Sequence, residues 1–240
     1  MSASAASRPR WSSLATHALG AVLGGLVGGF VVVGVTLVLK LGMELVAGQA
    51  TWVLLVVPLV GLALSGLVLE GLGRRDPRLP PRQTPPAGRG RAHAFRTFPP
   101  GAAPADITGD VIDSAGEEER FPWRLAPIRA VAVLATVGLG GPMGTEAPAA
   151  YFGVAAGAWL GDRRRPSWRR LLRPAALGGG AAGVSALMGI PLMGSAYMLE
   201  LGYRHGAPLS VERIVAALIG GVIGWGIDVV FGLQLIRLIA

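Results

Sequence analysis

The sequence predicts an all-α, polytopic membrane protein built from broken and tilted helices. Of its 240 residues, 52% are hydrophobic, only 15% are charged and 37 are glycines. A typical soluble domain has about 25% charged residues and fewer glycines. Long apolar runs alternate with short arginine-rich segments, which is typical of a chain that crosses a bilayer several times.

The net charge of +8 comes almost entirely from arginines that cluster between apolar runs. No nucleic-acid-binding motif accompanies these clusters, so we interpret them as topology signals and expect no nucleic acid partner. The absence of cysteine excludes disulfides and thiolate metal sites. His17, His93 and His205 have no metal-ligand spacing, and we expect no metal, no cofactor and no catalytic residue.

The first part of the chain predicts a polar leader followed by two membrane spans. Residues 1–13 are rich in Ser, Ala and Arg, and residues 14–72 read as a transmembrane hairpin. Its spans cover about residues 16–46 and 51–71. The first contains Gly20, Gly24 and Gly28 at a four-residue spacing, which lets another helix approach closely in lipid.

The middle of the chain changes composition sharply. Residues 73–104 are rich in proline and arginine, a composition that cannot form a core and predicts a cytoplasmic loop. We assign residues 105–240 to a region of half-helices and a final span. Its first part, 105–123, is acidic and predicts a short solvated helix at the membrane surface. The acidic residues are Asp106, Asp110, Asp113 and Glu117 to Glu119.

The apolar segments that follow are mostly short and interrupted by glycine. They cover about residues 125–140, 147–161, 171–188, 190–203 and 209–238. Segments of about 14 to 18 residues are too short to cross a hydrocarbon core of about 30 Å at 1.5 Å per residue. Several must therefore be half-helices packed inside protein, and broken helices are where transporters bind ions.

The distribution of positive charge predicts the orientation in the membrane. All the Lys and Arg residues except Lys40 and Arg237 occur in segments that one side of the membrane could share. By the positive-inside rule that side is the cytoplasm. We therefore expect a multi-pass protein of the inner (plasma) membrane, with a cytoplasmic N-terminus and a C-terminus outside.

Glu146 is the strongest indication of function. It is the only carboxylate in GTEAPAAYFG, residues 144–153, between two apolar runs. A carboxylate at membrane depth is costly, so by default it lines an ion path or a water-filled cavity. The preceding glycine and the following Pro148 indicate a helix that begins inside the hydrophobic region, where free N–H groups can bind an anion. A structural carboxylate, neutral or paired, is the alternative.

The segment around Glu146 resembles the CLC chloride channels and proton-coupled chloride antiporters. In that family a G(K/R)EGP motif opens a half-helix, and its glutamate is an acid-sensitive gate that occupies an anion site when charged. GTEAP matches this motif in register. The resemblance implies that Glu146 is the gate and that Gly144, Thr145, Ala147 and Pro148 line the anion pathway.

A second segment, GIPLMGSAYMLEL at residues 189–201, is similar to the family's NAPLAG segment and the helix after it. The resemblance implies that Gly189, Ile190 and Pro191 line the same pathway. It also places Glu200 at the first of the glutamates that close this helix, a position for a proton path. An interfacial ion pair is the alternative for Glu200.

Several positions differ from the family pattern. Thr145 stands where the family has a basic residue, and Ala147 replaces a glycine, which narrows the room for the glutamate to move. The family's GSGIP motif, whose serine binds the central anion, has its nearest counterpart in PGAAP at residues 100–104, which has no hydroxyl. Leu201 occupies the position at which proton-coupled members commonly have a second glutamate.

The resemblance implies one half of a CLC-like inverted-repeat fold, because the chain ends where the first half would end. We expect it to transport chloride or another small anion across the lipid bilayer together with a complementary membrane chain or as a dimer. The alternative is a degenerate, non-transporting half-transporter that acts as a membrane interaction protein. A third alternative is a membrane enzyme that uses Glu146 as a general base, but the sequence contains no nucleophile, metal-binding or cofactor motif to support it.

Overall fold

The computed structural model of the chain describes residues 11–71, 107, 111, 121–141, 143–161, 170–204 and 206–232. These residues form seven α-helices and one 3-10 turn at Trp123–Leu125. The helices are α1 (Trp11–Ala47), α2 (Thr51–Gly71), α3 (Ala126–Val137), α4 (Glu146–Gly161), α5 (Leu172–Met188), α6 (Met193–Arg204) and α7 (Val211–Phe231). The predicted loop at 73–104 and the acidic side chains of 105–120 lie outside the described residues.

The predicted helical segments are confirmed to within a few residues at the ends that the structure describes. Three helices are long and apolar enough to cross a membrane, namely α1, residues Thr51–Leu69 of α2, and α7. Helices α3 to α6 contain only 12 to 17 residues. They are thus roughly 18 to 26 Å long, shorter than a hydrocarbon core. The expectation of short helices is therefore confirmed for this part of the chain, and α4 and α5 are mostly buried.

Helix α5 lies at the centre of the bundle. Every residue from Pro174 to Leu187 is buried, and α1, α4, α6 and α7 all pack against it. Its sequence over this stretch consists mostly of glycine and alanine. Small side chains let helix backbones approach closely, which is a main source of helix association where the surrounding solvent is also apolar.

Three helix backbones meet at Gly179 of α5. A Cβ atom added to Gly28 of α1 would stand 2.8 Å from the Cα of Gly179, and one added to Gly153 of α4 would collide with the Gly179 carbonyl. One turn earlier, a Cβ at Gly24 would collide with the backbone of Ala175. The predicted role of the α1 glycines in close helix packing is therefore confirmed.

The order of these contacts gives the directions of the helices. On α1, Gly24 and Gly28 meet successive turns of α5 in the same order, so the two helices run parallel. Helix α7 also runs parallel to α5, since Gly220 meets Gly178 and Gly224 meets Ala182. The first turns of α1, α5 and α7 therefore lie at one end of the bundle.

Helix α4 runs in the opposite direction. Its Gly157 meets Ala175, and Gly161, at its C-terminus, meets Leu172 at the start of α5. Helix α4 thus ends where α1, α5 and α7 begin. We call this the basic end, because Arg170, Arg173 and Arg213 lie there. The expectation that the arginine clusters share one side holds for these three residues.

The predicted hairpin of α1 and α2 differs in its packing. The two helices are joined by a short turn, but they contact each other sparsely, and α2 packs along α3 instead. The reason is steric fit: Gly61 of α2 lies against the Ala135 carbonyl of α3, whereas the glycine face of α1 is already covered by α5. Most of α2 stays exposed, with only 6% of its apolar window buried.

We expect Gly24→Ala to lower the free energy of unfolding by about 1 to 3 kcal/mol, because the new methyl group overlaps the Ala175 backbone. Gly34→Ala on the same helix is the matched control, since a Cβ there meets no described neighbouring atom within 4 Å. It should be neutral or stabilising by up to about 1 kcal/mol. Denaturant unfolding in detergent, followed by tryptophan fluorescence, measures both; equal effects would contradict the close packing.

Candidate functional site

Glu146 occupies the first position of helix α4. The Ala149 N–H donates to the Thr145 carbonyl at 3.0 Å, so Thr145 caps the helix. Pro148 lies at the third position, where a missing N–H costs nothing. The N–H groups of Glu146 and Ala147 are therefore the first-turn donors without a partner inside the helix, and they point out of its positive end.

The Glu146 side chain turns back toward the segment that precedes its own helix. Its Oε2 atom lies 3.1 Å from the position that a Cβ atom of residue 144 would occupy. Because residue 144 is glycine, the carboxylate has room there. A negative charge at this point is stabilised by the partial positive charge of the helix N-terminus. The half-buried carboxylate thus lies at the kind of place where a helix end binds an anion.

The N-termini of α6 and α4 lie beside the same part of α5. The Gly194 N–H donates to Oγ of Ser185 at 2.9 Å, and a Cβ on Gly194 would collide with the backbone of Ala181. On α4, the carbonyl of Ala149 lies close to Gly183. The first turns of two half-helices therefore flank the buried residues 181–185 of α5.

Tyr197 of α6 lies on the same side of the bundle as Glu146 of α4. The Glu146 carboxylate lies within range of a Coulombic interaction with its phenol group, and the tyrosine is half-buried. A phenol O–H can donate a hydrogen bond to a carboxylate or to an anion. The sequence places Tyr197 within the predicted half-helix 190–203, yet no spacing or motif identifies it, because its proximity to Glu146 depends on how α4 and α6 pack against α5.

The other predicted pathway residues lie around these two helix starts. Those of the first segment surround Glu146, and those of the second form the connection between α5 and α6. Pro148 is buried, Thr145 and Ala147 are half-buried, Gly144, Ile190 and Pro191 are exposed, and Gly189 ends α5 in the left-handed conformation with φ 65°.

One side of the site is open and apolar. Met143, Ile190, Leu192 and Met193 have between 37% and 43% of their surface exposed. Leu192 also has a positive φ of 62°, which is unusual for a leucine and marks a constrained turn immediately before α6. Exposed apolar groups around a polar centre are typical of a surface that contacts lipid or another protein.

Glu200 has a different setting from Glu146. It is exposed near the end of α6 and forms an ion pair with Arg204, one turn later. Six residues separate the end of α6 at Arg204 from the start of α7 at the basic end. This geometry matches the interpretation of Glu200 as part of an interfacial ion pair, while its role in a proton path stays a prediction.

Arg129 requires a correction. We grouped it with the loop charges that determine topology, but it lies inside α3 with only 1% of its surface exposed. Its guanidinium lies 4.8 Å from the centre of the buried Tyr151 ring. A desolvated cation gains about 2 kcal/mol from such a ring face, which offsets part of its burial cost. The position of Arg129 within the predicted apolar segment 125–140 was a signal for this burial.

A family comparison extends these observations. The model of the voltage gated chloride channel family matches residues 92–236, more than half of the chain. The chain belongs to this family. The match includes Glu146, Tyr197 and Arg129 and all of helices α3 to α7, and it confirms the resemblance noted in the sequence. A comparison with curated proteins gave no match.

Membership in the voltage gated chloride channel family supports transport of chloride or another anion in general terms. It indicates a channel or transporter rather than an enzyme. Together with the three helices that are long and apolar enough to cross a bilayer, it identifies a membrane protein.

The pairing of Arg129 with Tyr151 leads to a stability prediction. Tyr151→Phe keeps the ring under the guanidinium and loses the long, 3.4 Å hydrogen bond to the Pro122 carbonyl, so it should cost less than about 1 kcal/mol. Tyr151→Leu removes the ring and should cost about 2 kcal/mol or more. The exposed Tyr203 provides a control, since Tyr203→Leu should change the unfolding free energy little. Equal losses for the two Tyr151 variants would show that the ring does not stabilise the cation.

Proposed function

We propose that this member of the voltage gated chloride channel family conducts chloride or another small anion past the N-termini of α4 and α6, with Glu146 as the gate. The position of the Glu146 carboxylate carries this proposal. It turns back over Gly144 at the positive end of its own half-helix, within electrostatic range of Tyr197.

The gate works by competition for the same donors. The charged carboxylate and a chloride ion are both attracted by the first-turn N–H groups of α4 and by the phenol of Tyr197. When Glu146 is protonated, it is neutral and its attraction to the helix end falls, so an anion can replace it. These donors have no formal positive charge, which keeps anion binding weak enough to allow exit. Pro148 removes one donor from the turn and weakens the site further.

The open side of the site indicates a partner. An ion path through a bilayer must be enclosed by protein, because lipid cannot solvate the ion. The exposed residues Ile190, Leu192 and Met193 form the apolar edge at which a complementary membrane chain or a second copy would close the path. An inverted second copy is the weaker choice, since the basic end of each copy would orient both in the same direction.

The basic end supplies the orientation in this proposal. Arginines favour the cytoplasmic side, so α1, α5 and α7 begin at the cytoplasm and the N-terminus lies there too. The chain is then a multi-pass protein of the inner (plasma) membrane, and Glu146 is reached from the side opposite to the basic end.

Chloride efflux from liposomes tests the gate, with this chain reconstituted in the complex extracted from its native membrane. We expect Glu146→Gln, which imitates the protonated glutamate, to raise efflux at neutral pH by about tenfold, a barrier change of about 1.4 kcal/mol. It should also remove the increase in efflux on acidification that we expect for the native chain. Glu44→Gln is the matched control, because Glu44 is an exposed carboxylate near the C-terminal end of α1. A native pH dependence in Glu146→Gln would reject Glu146 as the gate.

The same efflux assay tests whether transport requires a partner chain. The chain is reconstituted alone and as the complex that a mild detergent extracts from its native membrane. Flux only from the complex is the expected result. Flux from the isolated chain would show that it needs no other protein, and no flux from either sample would favour the degenerate half-transporter.

Glu200 can be separated from the gate in a similar way. Because it is exposed and paired with Arg204, we expect Glu200→Gln to leave chloride efflux within about twofold of native. Proton movement driven by a chloride gradient is recorded in parallel. A selective loss of that movement would assign Glu200 to a proton path, and unchanged movement would leave it as an ion-pair residue.

A further inference from the structure

A cavity of about 160 Å³ lies at the basic end, where α1, α5 and α7 begin. Its polar lining comes from the first two turns of these three parallel helices and from the residue before α7. These residues are Ser13, His17, Arg173, Ser210, Glu212 and Arg213. Leu177 and Ala216, one turn deeper on α5 and α7, are both buried and form its inner wall. The cavity is therefore distinct from the Glu146 site, which lies beside residues 181–185 of α5.

The polar groups of the cavity include hydrogen-bond donors suited to an anion. The Ser210 hydroxyl oxygen accepts the Arg213 N–H at 3.3 Å as the cap of α7, which leaves its O–H able to donate. Nδ1 of His17 lies 2.8 Å from the Ser13 carbonyl. Since a carbonyl only accepts, this nitrogen carries the proton, and Nε2 of the neutral ring is then an acceptor that adds no donor for an anion.

The charge of the cavity is net positive. The guanidinium groups of Arg173 and Arg213 outweigh the single carboxylate of Glu212, even with His17 neutral. Both arginines also interact within the protein, but a guanidinium has five N–H donors and can bind two partners at once. The positive ends of three helix dipoles add to this potential.

The size and donor geometry favour a phosphate group over a chloride ion. A volume of 160 Å³ equals about five water molecules at liquid density, which is more than a single chloride needs. Guanidinium groups bind two oxygens of one phosphate through parallel hydrogen bonds, an arrangement that a spherical ion cannot use. We propose that this cavity binds a phosphate group, carried by an anionic lipid headgroup or by a soluble phosphate. Such a ligand would tie together the first turns of α1, α5 and α7.

Binding to the purified full-length chain in detergent tests the site with two probes. Inorganic phosphate is measured by equilibrium dialysis, and phosphatidylglycerol, against phosphatidylcholine, by native mass spectrometry. We expect Arg173→Gln and Arg213→Gln each to weaken binding about tenfold or more, and Glu212→Gln to strengthen it severalfold. Arg170→Gln is the matched control, since Arg170 is exposed and lies outside the cavity; it should leave binding unchanged.

The pattern across variants distinguishes the sources and can overturn the proposal. If the binding of inorganic phosphate changes across the variants as expected, the ligand is a soluble phosphate. If only the binding of phosphatidylglycerol does so, the ligand is a lipid headgroup. If Arg173→Gln and Arg213→Gln bind both probes as Arg170→Gln does, the proposal is wrong. The tighter binding expected for Glu212→Gln guards against misfolding, because a damaged fold does not raise affinity. The test is independent of anion transport.

Discussion

Backbone-to-backbone contact around α5 is the constraint on which the rest of the bundle depends. At Gly179 the chain has no side chain, and Gly28 of α1 and Gly153 of α4 approach it from two sides. In lipid, apolar side chains gain little by leaving their surroundings, so close van der Waals contact between helices must supply much of the association energy. Larger residues here would separate the helices and weaken all of these contacts together.

The geometry of the site follows from this close packing. Helices α4 and α6 are too short to cross a bilayer, and the first turn of each is held in place by contact with residues 181–185 of α5. An N–H that is removed from water at such a contact is costly unless it has a partner. Ser185 is the partner for Gly194 of α6, whereas α4 has the carboxylate of Glu146 turned toward its start. The start of α6 thus has a side-chain partner on a neighbouring helix, whereas in our proposal the carboxylate near the start of α4 can be exchanged for an ion.

The sequence predicts the helices well because hydropathy and segment length are local properties. It also identifies Glu146, since a lone carboxylate between apolar runs is visible without a structure. The proximity of Tyr197 to Glu146 and the stacking of Arg129 on Tyr151 join residues that are distant in sequence, so no local pattern contains them. The sparse contact between α1 and α2 is a similar case, because a short turn determines which helices are consecutive, whereas small-residue faces determine which helices pack.

The two proposed anion sites rely on different physics, and the difference fits their positions. At the proposed gate around Glu146 the attraction would come from helix N–H groups and a phenol, which are dipoles without net charge, so an ion would be bound weakly and could leave. At the basic end, Arg173 and Arg213 supply full charges beside water, where a long-lived ligand does not obstruct a path. Full charges deep in the bundle would hold a small anion too firmly for rapid passage. The one described arginine that is fully buried, Arg129, has its guanidinium over the Tyr151 ring, which moderates its charge.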